Sequence, residues 1–111
     1  MNYHNKKFKA IDLSPNAEVD ENMTFHYQQW ENIVTCTYQS KHIQQGQLIG
    51  LVDELGNIDM RYQQVNALGE LHTGVCISKP EIMSNGKIRL HEKWQWTSGD
   101  QSTGHSILEE L

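Results

Sequence analysis

A single carboxylate interrupts an otherwise apolar face of one predicted strand. In the segment Lys87–Thr97, alternate residues share one side of an extended chain, and that side carries Ile88, Leu90, Glu92, Trp94 and Trp96. Its apolar members indicate that this side points into a core. Since an ionised carboxylate is costly to bury alone, Glu92 needs a hydrogen-bonding partner or a raised pKa. Two interpretations stay open: Glu92 lines a ligand cavity, or it is a structural acid that bonds a neighbouring Tyr, Thr or Arg or meets water at the mouth of the fold.

Tryptophan is the second residue type that suggests ligand binding. The chain contains three tryptophans, Trp30, Trp94 and Trp96. Together they could form an aromatic wall for a planar or sugar-like ligand. They are equally typical of core packing, because aromatic side chains dominate the cores of small domains.

Arg61 and Tyr62 place a cation and a phenol on opposite faces of another predicted strand. Tyr62 shares its face with Ile58 and Met60, which indicates that it points inward. Its hydroxyl then needs a hydrogen-bonding partner, and Glu92 is a candidate. Arg61 should face outward, most often as a solvated charge. The predicted ligand-binding residues are Arg61, Tyr62, Glu92, Trp94 and Trp96.

The sequence lacks the motifs of metal, cofactor and covalent chemistry. None of the six histidines forms H-E-x-x-H or a tight ligand spacing. Cys36 and Cys76 lie far apart and form no C-x-x-C pair, so we expect neither a zinc site nor a disulfide. No G-x-S-x-G motif surrounds Ser98 or Ser102, and there is no glycine-rich phosphate loop. We therefore predict no catalytic residue, no metal and no cofactor.

The net charge of the chain and its N-terminal residues indicate which kinds of partner it can have. Nine basic residues against fourteen acidic ones give a net charge of −5, which argues against general binding to nucleic-acid phosphates. Residues 1–15 contain no apolar run, so we expect no signal peptide and no membrane span. These features predict a cytoplasmic protein, bacterial in style, whose partner is a small-molecule ligand or a second copy of itself.

Short alternating segments with turn residues between them fill most of the chain. The predicted strands are Tyr3–Ala10 (weak), Phe25–Trp30, Ile33–Tyr38, Ile43–Val52, Ile58–Val65, Leu71–Ser78, Lys87–Thr97 and Ser102–Glu110. Glu31-Asn32 fits a two-residue hairpin loop, and Asn85-Gly86 predicts a type I′ hairpin turn. Lys79-Pro80 should interrupt pairing, because proline has no amide donor for a central ladder. Residues 13–22 are expected to form a loop.

Consecutive antiparallel strands must protect their edges, and closing into a barrel or a strongly coiled meander does so. A barrel of about eight strands has an interior just wide enough for side chains or one small ligand. We therefore predict an all-β fold, an antiparallel up-and-down meander of about 8–10 strands that forms a small barrel of lipocalin or avidin shape. Residues 1–111 should form a single domain, with a weak N-terminal strand and loop over residues 1–21.

Three segments also carry a family resemblance. They are the tryptophan-rich run Gly86–Asp100, the run Gly69–Cys76 and the short motif Asp59-x-Arg61-Tyr62. Over roughly residues 20–110 the chain resembles small bacterial all-β proteins that carry the label N-acetylglutamate synthase. The resemblance matches Arg61, Tyr62, Glu92, Trp94 and Trp96, and its label implies acetyl transfer from acetyl-CoA to glutamate.

Three functions follow as hypotheses. The first is a small-molecule binding module whose cavity is lined by Tyr62, Glu92, Trp94 and Trp96. The second is an enzyme, including the acetyltransferase of the family label, although Gln44–Gly50 lacks the spacing and the helix of the usual acetyl-CoA loop. The third is an interaction protein that pairs through an edge strand or an exposed aromatic residue such as Trp30.

Overall fold

The computed structural model describes residues 1–18 and 23–111, and every regular element in them is a strand. The strands are β1 (Lys7–Leu13), β2 (Thr24–His26), β3 (Gln28–Trp30), β4 (Ile33–Tyr38), β5 (Ile43–Val52), β6 (Ile58–Asn66), β7 (Leu71–Ile82), β8 (Ile88–Trp96) and β9 (Thr103–Glu110). The described residues include no helix long and apolar enough to cross a membrane. Of the predicted N-terminal strand and loop, residues 19–22 lie outside the described part.

The nine strands form one antiparallel sheet in the order β2-β1-β9-β8-β7-β6-β5-β4-β3. From β3 to β9 each strand pairs with the next strand of the chain, as the meander prediction requires. The two edge strands, β2 and β3, are halves of one extended segment that meet at Tyr27. β2 pairs with β1 and β3 pairs with β4, so this segment joins the two ends of the sheet into a nearly closed barrel.

The predicted strand Phe25–Trp30 is therefore divided, and Tyr27 is the point of division. The Tyr27 amide donates a hydrogen bond to the Lys6 carbonyl (2.9 Å), and the Asn5 amide donates one to the Tyr27 carbonyl (2.9 Å). Before Tyr27 the segment pairs with one neighbour, and after it with another. Sequence periodicity cannot show this change, because the side-chain alternation continues through it.

Three of the hairpins use the same five-residue connection. At the last of them the Met83 amide donates to the Lys87 carbonyl (2.8 Å) and the Gly86 amide to the Met83 carbonyl (2.9 Å), and residues 53–57 and 66–70 repeat the pattern. Gly86 has a φ of 83°, whereas Asn85 keeps a negative φ. The predicted type I′ turn is therefore wrong. A type I turn followed by a left-handed glycine bulge replaces it, with three loop residues instead of two.

The predicted break at Lys79-Pro80 occurs on one side of the strand only, since β7 itself continues to Ile82. Pairing between β6 and β7 ends at Ser78, whereas pairing between β7 and β8 runs on through Pro80 to Ile82. Pro80 thus has a neighbouring strand on one side only. A proline is tolerated there because its missing amide donor leaves no gap in a two-sided ladder.

Alternate residues of the long strands point into the barrel and form its core. Tyr3, Phe8 and Tyr27 pack against one another at one end, with ring centroids 5.0–6.3 Å apart. The Tyr3 hydroxyl donates to the carbonyl of Gly56, which ties this cluster to the β5–β6 turn. This end of the barrel is thereby closed, and the opposite end is the mouth.

Candidate functional site

A cavity of about 70 Å³ lies inside the barrel between the Tyr27 ring and the mouth. It is lined by Ala17, Glu18, Phe25, Tyr27, Tyr38, Leu48, Met60, Tyr62, Gln64, Cys76, Glu92, Trp94, Trp96, Ser106 and Leu108. The structure thus brings together four of the five predicted ligand-binding residues. The fifth, Arg61, lies on the outer face, where its guanidinium pairs with the Asp59 carboxylate at 2.8 Å. Trp30 is 72% exposed on the outer surface and contributes nothing to an aromatic wall.

Among the aromatic rings of the cavity, those of Tyr62 and Trp94 each pack against a glycine on the neighbouring strand, as that of Tyr38 does at Gly46. Tyr62 is paired with Gly74, and Trp94 is paired with Gly104. A Cβ atom at either glycine would come within 3.0 Å of the facing ring, which real side chains essentially never do. The glycines therefore fix where these rings lie, because any larger residue would push them aside.

Trp96 joins these rings into one aromatic row. Its centroid lies 5.4 Å from that of Tyr62 and 5.7 Å from that of Trp94, both in edge-to-face geometry. His72 contacts the same indole edge-on from outside, at 5.7 Å. Edge-to-face packing of this kind restrains each ring, so one wall of the cavity is a preformed apolar surface.

Glu92 is the acidic residue on the inner face of β8 and lines the cavity. One of its carboxylate oxygens accepts a hydrogen bond from the Ser106 hydroxyl at 2.9 Å. Glu92 as a residue is half-buried, but its carboxyl is enclosed by protein, and this burial raises its pKa to about 7 against the opposing effect of Ser106 and Ser78. The Ser78 hydroxyl lies close to the carboxyl, although no hydrogen bond of standard geometry joins them. Near neutral pH this carboxyl can therefore either donate or accept a hydrogen bond.

Three enclosed hydroxyls have no hydrogen-bonding partner among the described residues, those of Tyr27, Tyr62 and Ser78. The bond that the sequence suggested between Tyr62 and Glu92 is therefore not formed. Burial raises the pKa values of Tyr27 and Tyr62, so both phenols stay protonated and can donate. A buried hydroxyl without a partner carries a desolvation cost, which a bound polar group would remove.

The unpartnered phenols lead to a mutational prediction. Removing the Tyr62 hydroxyl (Tyr62→Phe) should leave the free energy of unfolding unchanged or raise it by up to about 1 kcal/mol, because the lost group makes no bond. Tyr38→Phe is the matched control, since the Tyr38 hydroxyl donates to Gln64 at 2.9 Å and its loss should cost about 1 kcal/mol. Urea unfolding of both variants measures the contrast. Equal losses would show that Tyr62 already has a partner.

Sequence reasoning missed the polar residues at the mouth. Gln64 and Asn66 point inward from β6 and are 3% and 6% exposed. Their side-chain amides hold the carboxylate of Glu18, at 2.8 Å and 2.9 Å respectively. Ile58, Met60 and Tyr62 are alternate residues of one inward face. Continuing this alternation to positions 64 and 66 would have predicted that both amides point inward. Glu18 is 46 and 48 residues away along the chain, and no local pattern points to it.

Among the described residues there is neither a cluster of metal ligands nor a reactive thiol. No group of three or more His, Cys, Asp or Glu side chains there could hold a metal ion. Cys36 and Cys76 are buried free thiols. Burial raises the pKa of Cys36 to about 12 and raises that of Cys76 as well, so neither forms a thiolate near neutral pH.

The comparison with known families agrees with this architecture. The family model described as Avidin-like protein matches the whole chain, residues 1–111. The chain belongs to the avidin-like protein family. No curated protein and no solved structure matches the chain. Membership confirms the predicted avidin-like barrel, and the cavity of this avidin-like protein lies inside that barrel, as small-molecule sites of β-barrels do.

Proposed function

We propose that this avidin-like protein binds a small molecule inside its barrel, with Glu92 and the Tyr27 and Tyr62 hydroxyls as its hydrogen-bonding partners. The observation that carries the proposal is the set of unpartnered polar atoms in an enclosed, mostly apolar cavity. Native interiors rarely leave such groups unpaired, and a bound ligand is one of the standard explanations. Trp94 and Trp96 supply an apolar wall against which the apolar part of the ligand would pack.

The cavity's size restricts what can enter without rearrangement. Its volume of about 70 Å³ is less than half of the roughly 150 Å³ of an apolar cavity that admits benzene. A ligand that fits inside it completely has only a few non-hydrogen atoms. A larger ligand must extend through the mouth, so Glu18 or its neighbours have to give way.

A ligand panel tests the proposal through melting temperature and tryptophan fluorescence. The panel includes biotin, because of the family, and acetyl-CoA and glutamate, because of the sequence resemblance. A ligand at a hundredfold excess over its Kd stabilises the native state by about 2.7 kcal/mol. We expect a hit whose effect disappears in Glu92→Gln and persists in Arg61→Gln, the control on the outer face of the barrel. A hit that survives Glu92→Gln and Tyr62→Phe alike would place binding elsewhere.

Acetyl transfer is a second candidate, and Glu92 is what favours it. A carboxyl with a pKa of about 7 suits a general base near neutral pH. Against it, the cavity cannot enclose acetyl-CoA without opening widely. Incubation with acetyl-CoA and glutamate tests this candidate, because N-acetylglutamate formed together with free CoA, both abolished by Glu92→Gln, would establish the reaction. No release above the background rate would remove this candidate.

Self-association is a third candidate, favoured by apolar residues on the outer face. Ile49 and Leu51 on β5 and Ile77 on β7 are exposed and flank the Asp59–Arg61 ion pair. Such a patch is self-complementary in charge, as a two-fold symmetric interface requires. We expect sedimentation to show a dimer that Leu51→Lys converts to a monomer. Leu68→Lys, at an exposed turn of the mouth, is the control and should leave the dimer intact.

We also place this function in the cytoplasm. The two cysteines support the assignment, because both are free and thiols persist in a reducing compartment. The excess of acidic residues supports a small-molecule ligand over a nucleic acid.

A further inference from the structure

The mouth of the cavity contains two side-chain amides, those of Gln64 and Asn66. Hydrogen bonds to their oxygen atoms fix the direction in which their nitrogen atoms point. The Gln64 side-chain oxygen accepts a hydrogen bond from the Tyr38 hydroxyl (2.9 Å), so its amide nitrogen must face the opposite way. The Asn66 side-chain oxygen accepts from the backbone amides of Leu68 (3.1 Å) and Glu70 (2.9 Å) in the β6–β7 turn. Both oxygens are thus occupied, and both nitrogens are directed to one point at the mouth.

A carboxylate occupies that point. One oxygen of Glu18 accepts from Gln64 Nε2 and the other from Asn66 Nδ2. The second hydrogen of the Asn66 amide goes to a Glu70 oxygen at 2.9 Å, so Glu70 contributes a further negative charge next to the pair. Two nearly buried amides thus bind one carboxylate through both of its oxygens. This arrangement is a preformed binding site for a carboxylate group.

Glu18 also separates two spaces. Glu18 and Trp96 line both the interior cavity and an outer hollow of about 270 Å³. The other residues of the hollow are Asn16, His72, Ser98, Gly99, Asp100 and Ser102. If the Glu18 side chain turned outward, the cavity and the hollow would join. Their combined volume reaches the lower end of the roughly 300–1,000 Å³ of ordinary ligand sites.

We propose that the Gln64–Asn66 amide pair is a carboxylate-binding subsite, which Glu18 fills in the free protein and a ligand carboxylate fills in the complex. The ligand is then a small amphipathic acid, whose apolar part enters the cavity and whose carboxylate replaces that of Glu18. This inference rests on the proposed function for the apolar part of the ligand, but the subsite itself stands on the contacts at the mouth.

Exchange of one carboxylate for another has little net cost at the subsite. The two amide hydrogen bonds are kept, and the charge next to Glu70 and Asp100 does not increase while Glu18 moves into water. The obstacle is that Glu18 is tethered and so competes at a high effective concentration. The apparent affinity of the wild-type protein for an acid is therefore reduced by the small fraction of molecules whose subsite is empty.

Chemical rescue with acetate tests the subsite directly. In Glu18→Ala the amide pair is empty, and we expect sodium acetate to raise the melting temperature in a saturable way. Acetamide, and sodium chloride at the same ionic strength, should not do so. The wild-type protein is the matched control, because the Glu18 carboxylate already fills the position there and acetate at the same concentrations should have no effect. An acetate response no larger than that of acetamide would overturn the subsite.

A second measurement covers the case in which Glu18→Ala folds poorly. Butyrate and its neutral analogue butyramide, whose short apolar chains suit the small cavity, are titrated into the ¹⁵N-labelled wild-type protein. Butyrate should shift the side-chain amide signals of Gln64 and Asn66, and butyramide should shift neither. Where the Glu18→Ala variant is folded, it should bind butyrate about tenfold or more tightly than the wild type does. Equal effects of the acid and the amide would contradict the proposal.

The two readouts also separate this inference from the proposed function. Because Glu18→Ala empties only the subsite, an acetate response that the wild type lacks reports on the subsite and not on ligand entry into the cavity. An acetate-specific response together with butyrate binding that leaves the indole N–H signals of Trp94 and Trp96 unchanged would uphold the subsite and overturn the cavity as the place of the apolar part. Cavity ligands without any preference for carboxylates would uphold the proposed function and overturn the subsite.

Discussion

Replacing Glu92 with glutamine is expected to remove a loss of stability that the wild-type protein suffers as the pH rises. Burial raises the pKa of Glu92 from its ordinary value of 4.5 to about 7 in the folded protein. Between these values the unfolded chain has released the proton and the folded chain has kept it. Folding then binds a proton, so the free energy of unfolding falls as pH increases.

The size of the effect follows from the pKa difference. At about 1.4 kcal/mol for each pKa unit, the wild-type protein should lose roughly 3 kcal/mol between about pH 4 and pH 8 relative to Glu92→Gln. The buried phenols and thiols whose charges would act on Glu92 do not interfere, because burial raises their pKa values above the neutral range. These groups are Tyr27, Cys36, Tyr38, Tyr62 and Cys76.

Urea unfolding across this pH range, for the wild type and the variant, gives the difference directly. Glutamine keeps the oxygen that accepts from Ser106, so the variant loses the charge and little else. Glu81→Gln is the control: the Glu81 carboxylate is exposed, and its hydrogen bond with His91 lowers its pKa, so its contribution should fade as pH falls. Parallel pH curves for the wild type and Glu92→Gln would show that the carboxyl reaches water.

The inward face of β8 could be predicted because strand alternation is a local property. Ile88, Leu90, Trp94 and Trp96 are buried and the Glu92 carboxyl is enclosed between them, as the spacing requires. The same rule placed Tyr62 inside and Arg61 outside. Alternation therefore identified four lining residues of the cavity before any contact was known.

Features that depend on how distant segments meet could not be predicted. The change of partner at Tyr27, the one-sided pairing around Pro80 and the seat of Glu18 between Gln64 and Asn66 are set by closure of the barrel. The turn at Asn85-Gly86 failed for a different reason. A dipeptide favours a turn, but the register of the two strands decides how many residues the loop contains.

Gly74→Ala is expected to be among the most destabilising small substitutions in the barrel. The added Cβ would meet the Tyr62 ring closer than 3.0 Å, and Trp96 packs against this ring, so the space left for it is the cavity. Overpacking of this kind costs about 3 kcal/mol. The displaced ring would also enter the cavity, so ligand binding should weaken together with stability.

A double-mutant cycle shows whether the ring is the cause. In a Tyr62→Val background the added methyl group has room, and Gly74→Ala should then cost less than about 1 kcal/mol, which gives a coupling of about 2 kcal/mol. Gly104→Ala is the matched control: its Cβ meets Trp94 instead, and its strand β9 lies three strands from β6, so its cost should be the same with and without Tyr62→Val. If the two glycine substitutions respond alike to Tyr62→Val, backbone preference sets their cost, and Gly74 is not what holds the Tyr62 ring at the cavity wall.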